Sequence, residues 1–334
     1  MKMKKILLLT ASLMAIWSCE RDTETLGPNL SELYGEFSVL EPFVASRSSV
    51  NFGVGESVLF SGRFSKPVNW EIHIVGQSSG SEKVITGMSK LVDETNAAWT
   101  GTTTHLPMFK EEVCTAFITV PSEGFSDTLS GISIDSTKFD EGFVMADFES
   151  GVNPGWTVFA QSGADMSFGI VPGDSAAQGN NFWDMGGEVS FDYLIGLIDF
   201  PASAYGSATF PLDENANNVY FNVMLGKPEG ITNEIILFQF REDENGDGIF
   251  QEATEDMYSL ELKGISSDWE NITIKYGDLQ ALINGAPADP AGNGIREPHK
   301  LLQVSMLFLA DPSSGYSRSY MDYLIFTENG PLEP

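Results

Sequence analysis

The stretch Val68-Asn69-Trp70-Glu71-Ile72-His73-Ile74-Val75 alternates an entirely apolar set of side chains with a second, mostly polar set. Because successive side chains of a strand point to opposite faces of a sheet, this alternation predicts a strand with one face in a core. Similar short runs lie at 57–60, 113–120 and 128–134, separated by Gly, Ser, Asn and Pro. About seven such runs within 36–137 predict an immunoglobulin-like β-sandwich.

The polar run Asp135-Ser136-Thr137-Lys138 marks a boundary, after which 138–334 is predicted to form a second, larger domain. Its first strand is expected within 143–149. Further strands are predicted at 219–225, 234–241, 258–262, 269–274, 302–310 and 319–326. Only 276–282 favours a short helix. The predicted fold class is therefore all-β, with an immunoglobulin-like sandwich (36–137) followed by a β-jelly-roll.

The first residues have the pattern of an export signal. Lys2, Lys4 and Lys5 precede an apolar run at 6–16, which is too short to span a bilayer as a mature helix. The signal peptide is predicted to end at 18, and the polar residues 19–35 are predicted to form a tether.

A small residue before a lone cysteine resembles the bacterial lipobox, although Trp17 departs from that pattern. The resemblance implies lipidation of Cys19 as the mature N-terminus. Glu20, Asp22 and Glu24 resemble the signal that sends lipoproteins of Bacteroidota to the outer face of the outer membrane. The expected location is thus the outer membrane, lipid-anchored and facing the exterior. An ordinary signal peptide with an incidental Cys19 is the alternative.

The composition limits the partners. The chain has 47 acidic and 18 basic residues and a formal net charge of -29. Such a charge repels nucleic acid and anionic lipid headgroups and favours a neutral partner. If Cys19 is lipidated, Cys114 is the one remaining thiol and no intramolecular disulfide can form. Stability must then come from core burial or from metal.

Four segments carry a resemblance to a known family. They are Asp147-Phe148-Glu149, Gly179-Asn180-Asn181-Phe182-Trp183, Asp268-Trp269-Glu270-Asn271-Ile272-Thr273-Ile274 and Tyr320-Met321-Asp322-Tyr323-Leu324-Ile325-Phe326. They resemble landmarks of galactose-binding-like jelly rolls, the fold of many carbohydrate-binding modules. With the leader and the first domain, the chain resembles a surface glycan-binding lipoprotein of a Bacteroidota polysaccharide-utilisation system. This resemblance implies a non-catalytic protein that holds polysaccharide for an outer-membrane importer and its lid lipoprotein. In this reading the immunoglobulin-like domain is a spacer and the jelly-roll is the carbohydrate-binding domain.

The segment Asp243-Glu244-Asn245-Gly246-Asp247-Gly248-Ile249-Phe250-Gln251-Glu252 predicts a structural calcium site. Oxygen ligands at alternate positions and a glycine at the sixth match the start of an EF-hand loop. The expected ligands are Asp243, Asn245, Asp247 and the Ile249 carbonyl. Because the twelfth position is Thr254, the closing carboxylate must come from Glu252, Glu255 or Asp256. A solvated acidic hairpin loop is the alternative.

A second calcium position is implied by the resemblance alone. Many carbohydrate-binding jelly rolls hold an ion between the first and last strands, and the matching acids are Asp147 or Glu149 and Asp322. Plain strand-end carboxylates are the alternative.

Sugar recognition needs flat aromatic faces and hydrogen-bonding carboxylates or amides. The first candidates lie in a stretch rich in Gly, Asn and Asp, where an aromatic side chain is less easily explained as core. They are Trp183, Phe182, Asp184, Asp192 and Tyr193. Trp156 is the second candidate, whereas Trp269 and Trp70 are expected in the core.

Two other classes of function stay open. His73, His105 and His299 are scattered and give little support to a zinc or Ser-His-Asp site. A glycoside hydrolase or polysaccharide lyase on a jelly-roll fold would need a carboxylate pair, and 47 acids supply many spacings. A structural or adhesive lipoprotein is the third reading. The expected ligand is a neutral polysaccharide such as a β-glucan.

Overall fold

The computed structural model describes residues 35–138, 140–173, 176–189, 194–310 and 315–334. The predicted leader, Cys19, Asp192 and Tyr193 lie outside the described residues. Within the described ranges the regular elements are β-strands and short 3-10 turns, so the all-β prediction is confirmed. No helix in these ranges has the length and apolarity to cross a membrane.

Seven strands form the N-terminal sheet. They are β1 (Val39–Ala45), β2 (Ser49–Asn51), β3 (Val58–Gly76), β4 (Glu82–Val92), β5 (Ala98–Trp99), β6 (Val113–Val120) and β7 (Phe125–Ser136). The strands predicted at 57–60 and 68–75 are one continuous strand, β3, whose buried positions alternate along its length. β3 pairs with β1 and β5 near its start and with β6 near its end, while β4 pairs with it between Gly62 and Val75.

The residues of this sheet enclose a hydrophobic core that is separate from the core of the second part of the chain. Trp70 and Trp99 are fully buried there, and Trp99 meets Phe52 and Phe109 edge to face. β2 runs parallel to β7, whereas the other pairs are antiparallel. The immunoglobulin-like assignment of this domain stays a prediction.

The strands of the second part of the chain form two antiparallel sheets and a small hairpin. They are β8 (Phe143–Ala146), β9 (Thr157–Ala160), β10 (Ala164–Pro172), β11 (Asn181–Glu188), β12 (Leu194–Pro201), β13 (Val219–Gly226), β14 (Glu234–Glu242), β15 (Met257–Lys263), β16 (Glu270–Lys275), β17 (Leu282–Ile283), β18 (Ala286–Pro287), β19 (Leu301–Ala310) and β20 (Ser317–Glu328). Sheet I has the order β10-β11-β20-β13-β16, with β8 also on β20. Sheet II has the order β15-β14-β19-β12-β9.

The two sheets pack face to face over one core. Sheet I contributes Trp183, Phe221 and Phe326, and sheet II contributes apolar rows such as Phe238, Phe240 and Phe308. The predicted jelly-roll is confirmed. The short helix predicted at 276–282 is wrong, because the helical part is one 3-10 turn, Tyr276–Asp278, and Leu279 already has an extended backbone.

A third buried cluster joins the two domains. Met108 of the N-terminal part packs with Met224, Tyr323 and Leu332, and the Met108 N–H donates to the Ala177 carbonyl over 2.8 Å. The C-terminal segment 329–334 runs along this junction. The Asn222 side chain accepts from the Leu332 N–H, and the Thr103 N–H donates to the Pro334 carbonyl.

Candidate functional site

A cleft of about 950 Å³ lies where the two domains meet, and we call it the aromatic cleft. The wall of the cleft that belongs to the jelly-roll contains Phe182, Trp269 and Tyr320. The remaining lining residues are Gln77, Ser78, Ser79, Gly80, His105, Leu106, Pro107, Gly226, Ser267 and Asp268.

Strand register brings two of the three rings together. On the adjacent strands β11 and β20, Trp183 pairs with Met321, and both face the core. Because side chains alternate, Phe182 and Tyr320 face the opposite side, where their ring centroids are 5.2 Å apart. Trp269 immediately precedes β16 and lies 5.7 Å from Phe182 and 6.1 Å from Tyr320, centroid to centroid.

Gly226 leaves room for the Trp269 ring. A Cβ added at Gly226 would lie 3.3 Å from the indole ring, closer than most such contacts. The indole therefore lies close to the β13 backbone, where a larger residue would push it outward.

Beside the cleft, an ion pair between the partly exposed Arg318 and the buried Asp184 supports Tyr320. Asp184 is 2% exposed, and both its oxygens accept from the Arg318 guanidinium, over 2.8 and 2.7 Å. The Ser167 hydroxyl also donates to it. The guanidinium lies 5.6 Å from the Tyr320 ring centroid. Asp184, predicted to bind sugar directly, is thus occupied within the protein, and its role is to hold Arg318 against Tyr320.

Two predicted sugar-binding aromatics are corrected by the structure. Trp183 is 1% exposed and packs between Phe148 and Phe168, so the prediction that it offers a stacking face is wrong. Trp156 is half-buried, and its Nε1 donates to the Tyr205 hydroxyl while its ring packs edge-on against Phe200. Both side chains are engaged in the jelly-roll.

Conversely, two cleft residues escape the sequence prediction. The sequence pattern predicts Trp269 in the core, and it assigns Tyr320 no role beyond its place in a segment that resembles a jelly-roll landmark. The alternation Arg318, Tyr320 against Ser319, Met321 contains the signal for Tyr320, because the apolar Met321 identifies the core side. Of the predicted sugar-binding residues within the described part, only Phe182 lines the cleft, at 9% exposure.

A second surface is the outer face of sheet II. Phe159, Leu197, Leu307 and Leu237 lie opposite one another across four strands. A parallel row of polar residues runs beside them, namely Thr157, Asp199, Ser305, Gln239 and Ser259. These residues alternate along the strands with residues of the core. The outer face therefore combines an apolar row with a hydrogen-bonding row, and the aromatic ring in these two rows is Phe159.

The predicted calcium loop connects β14 to β15. The Asp243 carboxylate accepts backbone N–H groups of Gly246, Asp247 and Gly248. Among the three candidates for a closing carboxylate, Glu255 points into the loop, where it accepts from the N–H groups of Asn245 and Gln251.

The other two candidates for the closing carboxylate, Asp256 and Glu252, do not point into the loop. Asp256 binds the N–H groups of Gly292 and Gly294 instead, and Glu252 is exposed. Ile249 is also exposed, and its N–H donates to Asp247.

The second predicted calcium position places Glu149 near Asp322. Burial, and then the charge of Glu149, raise the pKa of Asp322 well above its ordinary value, although N–H groups of Gln178 and Tyr323 donate to it. The Gln178 side-chain oxygen is buried without a hydrogen-bond partner. Asp147 accepts from the Glu149 N–H. Two carboxylates, together with the buried amide oxygen of a residue whose backbone N–H donates to one of them, are donors of the kind that a hard cation prefers.

In the described ranges, however, no three His, Cys, Asp or Glu side chains are grouped closely enough to hold a metal ion. Amide and backbone oxygens would have to complete either calcium site.

The sequence matches no protein-family model, and no curated protein matches it. Several solved structures are similar. The family 11 carbohydrate-binding module from Clostridium thermocellum, solved with a β-1,3-1,4-mixed-linked tetrasaccharide, is 17% identical, with 57% of this chain and 97% of the module covered and a TM-score of 0.37.

SGBP-B from a complex xyloglucan utilization locus in Bacteroides uniformis is 13% identical, with 87% of this chain and 73% of that one covered and a TM-score of 0.35. A CBM28 module described as specific for non-crystalline cellulose is 16% identical, with 57% and 96% covered and a TM-score of 0.33. Similarity at this level carries no information about the ligand of this protein.

Proposed function

We propose that the protein binds a polysaccharide, without cleaving it, in the aromatic cleft. The observation that carries this proposal is the group Phe182, Trp269 and Tyr320, three rings at the wall of one cleft beside serine hydroxyls and amides. The C–H faces of a pyranose are apolar and stack on such rings, while its hydroxyls need donors and acceptors. The cleft supplies both.

The charge of the cleft favours a neutral glycan. Among the described residues that line it, there is one carboxylate, Asp268, and one imidazole, His105, and there is no lysine or arginine. The nearby Arg318 is already paired with Asp184. A uronate or sulfate group would therefore lose water without gaining an unpaired cation from the lining, so a neutral polysaccharide such as a β-glucan fits better.

The cellular location of the protein and its partners are also part of the proposal. The leader and Cys19 support export and a lipid anchor on the outer membrane, where the bound glycan would be passed to an importer and its lid lipoprotein. The four sequence segments that resemble carbohydrate-binding jelly rolls support this reading.

Calcium is proposed as a structural ion. At the hairpin loop, the proposed oxygen donors are Asp243, Asn245, Asp247 and Glu255, and the ion would have to draw the three carboxylates together, because they are not grouped as a metal site in the described structure. At the strand junction, Glu149, Asp322 and the Gln178 amide would hold the ion. Bound calcium would neutralise the buried carboxylates Asp243 and Glu255 at the first site and Asp322 at the second.

Affinity electrophoresis against a panel of neutral and acidic polysaccharides tests the function. The wild type should be retarded by at least one neutral polysaccharide. Trp269→Ala and Tyr320→Ala should each weaken binding about five- to thirtyfold, since one well-placed ring contributes about 1 to 2 kcal/mol. Phe159→Ala, which removes an exposed ring from the outer face of sheet II, is the matched control and should bind as the wild type.

Each other outcome has a definite meaning. Retardation by no polysaccharide refutes glycan binding and favours a structural or adhesive role. Release of reducing ends from the retarding polysaccharide supports the hydrolase. Weakened binding by Phe159→Ala with full binding by Trp269→Ala moves the site to the outer face of sheet II.

A further inference from the structure

The turn between β3 and β4 forms the wall of the aromatic cleft that faces the three rings. Gln77, Ser78, Ser79 and Gly80 belong to the N-terminal domain, yet they line the same cleft as Trp269 of the jelly-roll. The sequence predicted this domain as a spacer. Its turn instead presents backbone and hydroxyl groups to the cleft.

One buried carboxylate fixes this turn. Glu112 is 8% exposed, and one of its oxygens accepts from the Ser78 N–H at 2.7 Å, the Ser78 hydroxyl at 2.8 Å and the Ser79 N–H at 3.0 Å. The other oxygen accepts from the Ser79 hydroxyl at 2.5 Å and the Lys110 N–H at 3.1 Å. A Cβ at Gly76 would lie 2.5 Å from Glu112, so the glycine is needed for the close approach.

This arrangement leaves the Ser78 oxygen as an acceptor. Both hydroxyls donate their proton to Glu112, but Ser79 Oγ also accepts from the Ser81 N–H at 3.0 Å, whereas Ser78 Oγ keeps its lone pairs for another donor. A hydroxyl that donates to a carboxylate is also polarised into a better acceptor. Sugar hydroxyls are donors of the required kind, and Ser78 is exposed to the cleft.

Hydrogen bonds connect the two walls. The Met108 N–H donates to the Ala177 carbonyl, and the Lys110 ammonium donates to the Asn180 side chain over 3.2 Å. Lys110 thus connects the Glu112 segment with the residues that precede β11, the strand of Phe182. The turn and the rings belong to one assembled site.

We propose that the glycan is held between the two domains, with the Gln77–Gly80 turn as its second wall and Glu112 as the residue that positions this turn. This inference rests on the proposed glycan binding. It assigns a recognition role to the N-terminal domain and makes Glu112 a positioning residue that does not itself touch the ligand.

The test uses the full chain and the polysaccharide that retards the wild type most. Ser78→Trp places a bulky ring in the cleft and should weaken binding about tenfold or more, whereas Ser126→Trp, at an exposed site on β7, should bind as the wild type. Glu112→Gln should weaken binding about three- to tenfold. The Glu112 carboxylate offers two acceptor oxygens to the donors of the turn, whereas the glutamine amide offers only one, so part of the turn would lose its hydrogen bonds. Glu123→Gln, beside Lys66 on the same domain, is its matched control.

A purely structural role of Glu112 is separated by a double variant. If Glu112 acts through the turn, Glu112→Gln combined with Ser78→Trp should bind no more weakly than Ser78→Trp alone. Additive losses would show that Glu112 acts elsewhere.

Two failures are distinguishable. Binding that is weakened by Trp269→Ala but unchanged by both Ser78→Trp and Glu112→Gln overturns this inference and leaves the proposed function standing. A wild type that no polysaccharide retards overturns both.

Discussion

Trp183 and Trp269 exchange the places that the sequence predicted for them. Trp183 lies in a stretch rich in Gly and Asn, which favours exposure, while Trp269 begins an alternating run, which favours burial. The structure buries Trp183 because its partner Met321 faces the core, and it leaves Trp269 at the cleft because strand β16 begins only at Glu270. Local composition could not give this result, since the side of a sheet that a residue faces depends on a partner strand distant in sequence.

Arg318 is predicted to stabilise the protein by satisfying Asp184. Arg318→Ala would leave a buried carboxylate with the Ser167 hydroxyl as its remaining side-chain partner. Because the arginine side chain is itself partly exposed, we expect a loss of about 2 kcal/mol in the free energy of unfolding. Urea denaturation measures this loss.

Arg318→Lys is the control, because it keeps the charge but not the two parallel hydrogen bonds. It should lose less stability than Arg318→Ala. Equal stability of all three proteins would contradict the role of the pair.

Cys114 is predicted to be an inert thiol. It is fully buried on β6, and burial, with the nearby charge of Glu112, raises its pKa to about 12. A maleimide should therefore leave the Cys114 peptide unmodified in the native protein and modify it completely in urea, as mass spectrometry would show. Rapid modification of the native protein would be inconsistent with this burial, and Ser126→Cys provides an exposed thiol for comparison.

At the scale of elements, the β3–β4 turn carries a pH dependence. Burial raises the pKa of Glu112, but hydrogen bonds from Ser79, Lys110 and Ser78 outweigh burial, so the pKa lies below its ordinary value of 4.5. A carboxyl whose pKa is lower in the folded state stabilises the fold above its unfolded pKa and loses this effect as the pH falls.

The wild type should accordingly exceed Glu112→Gln in unfolding free energy at pH 7. The difference should shrink as the pH falls below about 4. Urea denaturation of both proteins at pH 7 and at low pH checks this sign. A difference that grows in acid would contradict it.

The β14–β15 loop is predicted to bind calcium. Since the ion would bind the folded state, calcium should raise the melting temperature, chelator should lower it, and Asp247→Ala should abolish the difference. Because Glu255 points into the loop and Glu252 is exposed, Glu255→Gln should reduce the calcium-dependent shift and Glu252→Gln should leave it unchanged. An equal melting temperature with and without calcium would rule out the loop as a calcium site.

For the whole molecule, the sequence predicts the jelly-roll well and the site poorly. β6 begins and ends at the residues predicted from alternation, and β13, β14 and β19 lie within one residue of their predicted bounds. These strands are decided by local periodicity. The position of the cleft is not decided locally, because Tyr320, Trp269 and Ser78 come from two domains. Contacts between distant parts of the chain, such as the packing of Met108 in one cluster with Met224, bring the two walls together.

The anchor is likewise a prediction about the whole molecule. Cys19→Ala should remain uncleaved or leave the membrane fraction, since a lipid on Cys19 would be the attachment and two or three acyl chains suffice for it. Fractionation followed by intact-mass measurement checks this. A Cys19→Ala protein that is still processed and membrane-bound would rule out the lipid.

The course of the last residues has a practical consequence. Pro334 lines a small cavity together with His105, Leu106 and Trp269, at the edge of the aromatic cleft. Whatever follows Pro334, whether natural chain or an added affinity tag, must leave the protein beside the proposed binding rings. A C-terminal tag could then compete with the glycan, so immobilisation for binding measurements belongs at the other end of the chain, ahead of β1.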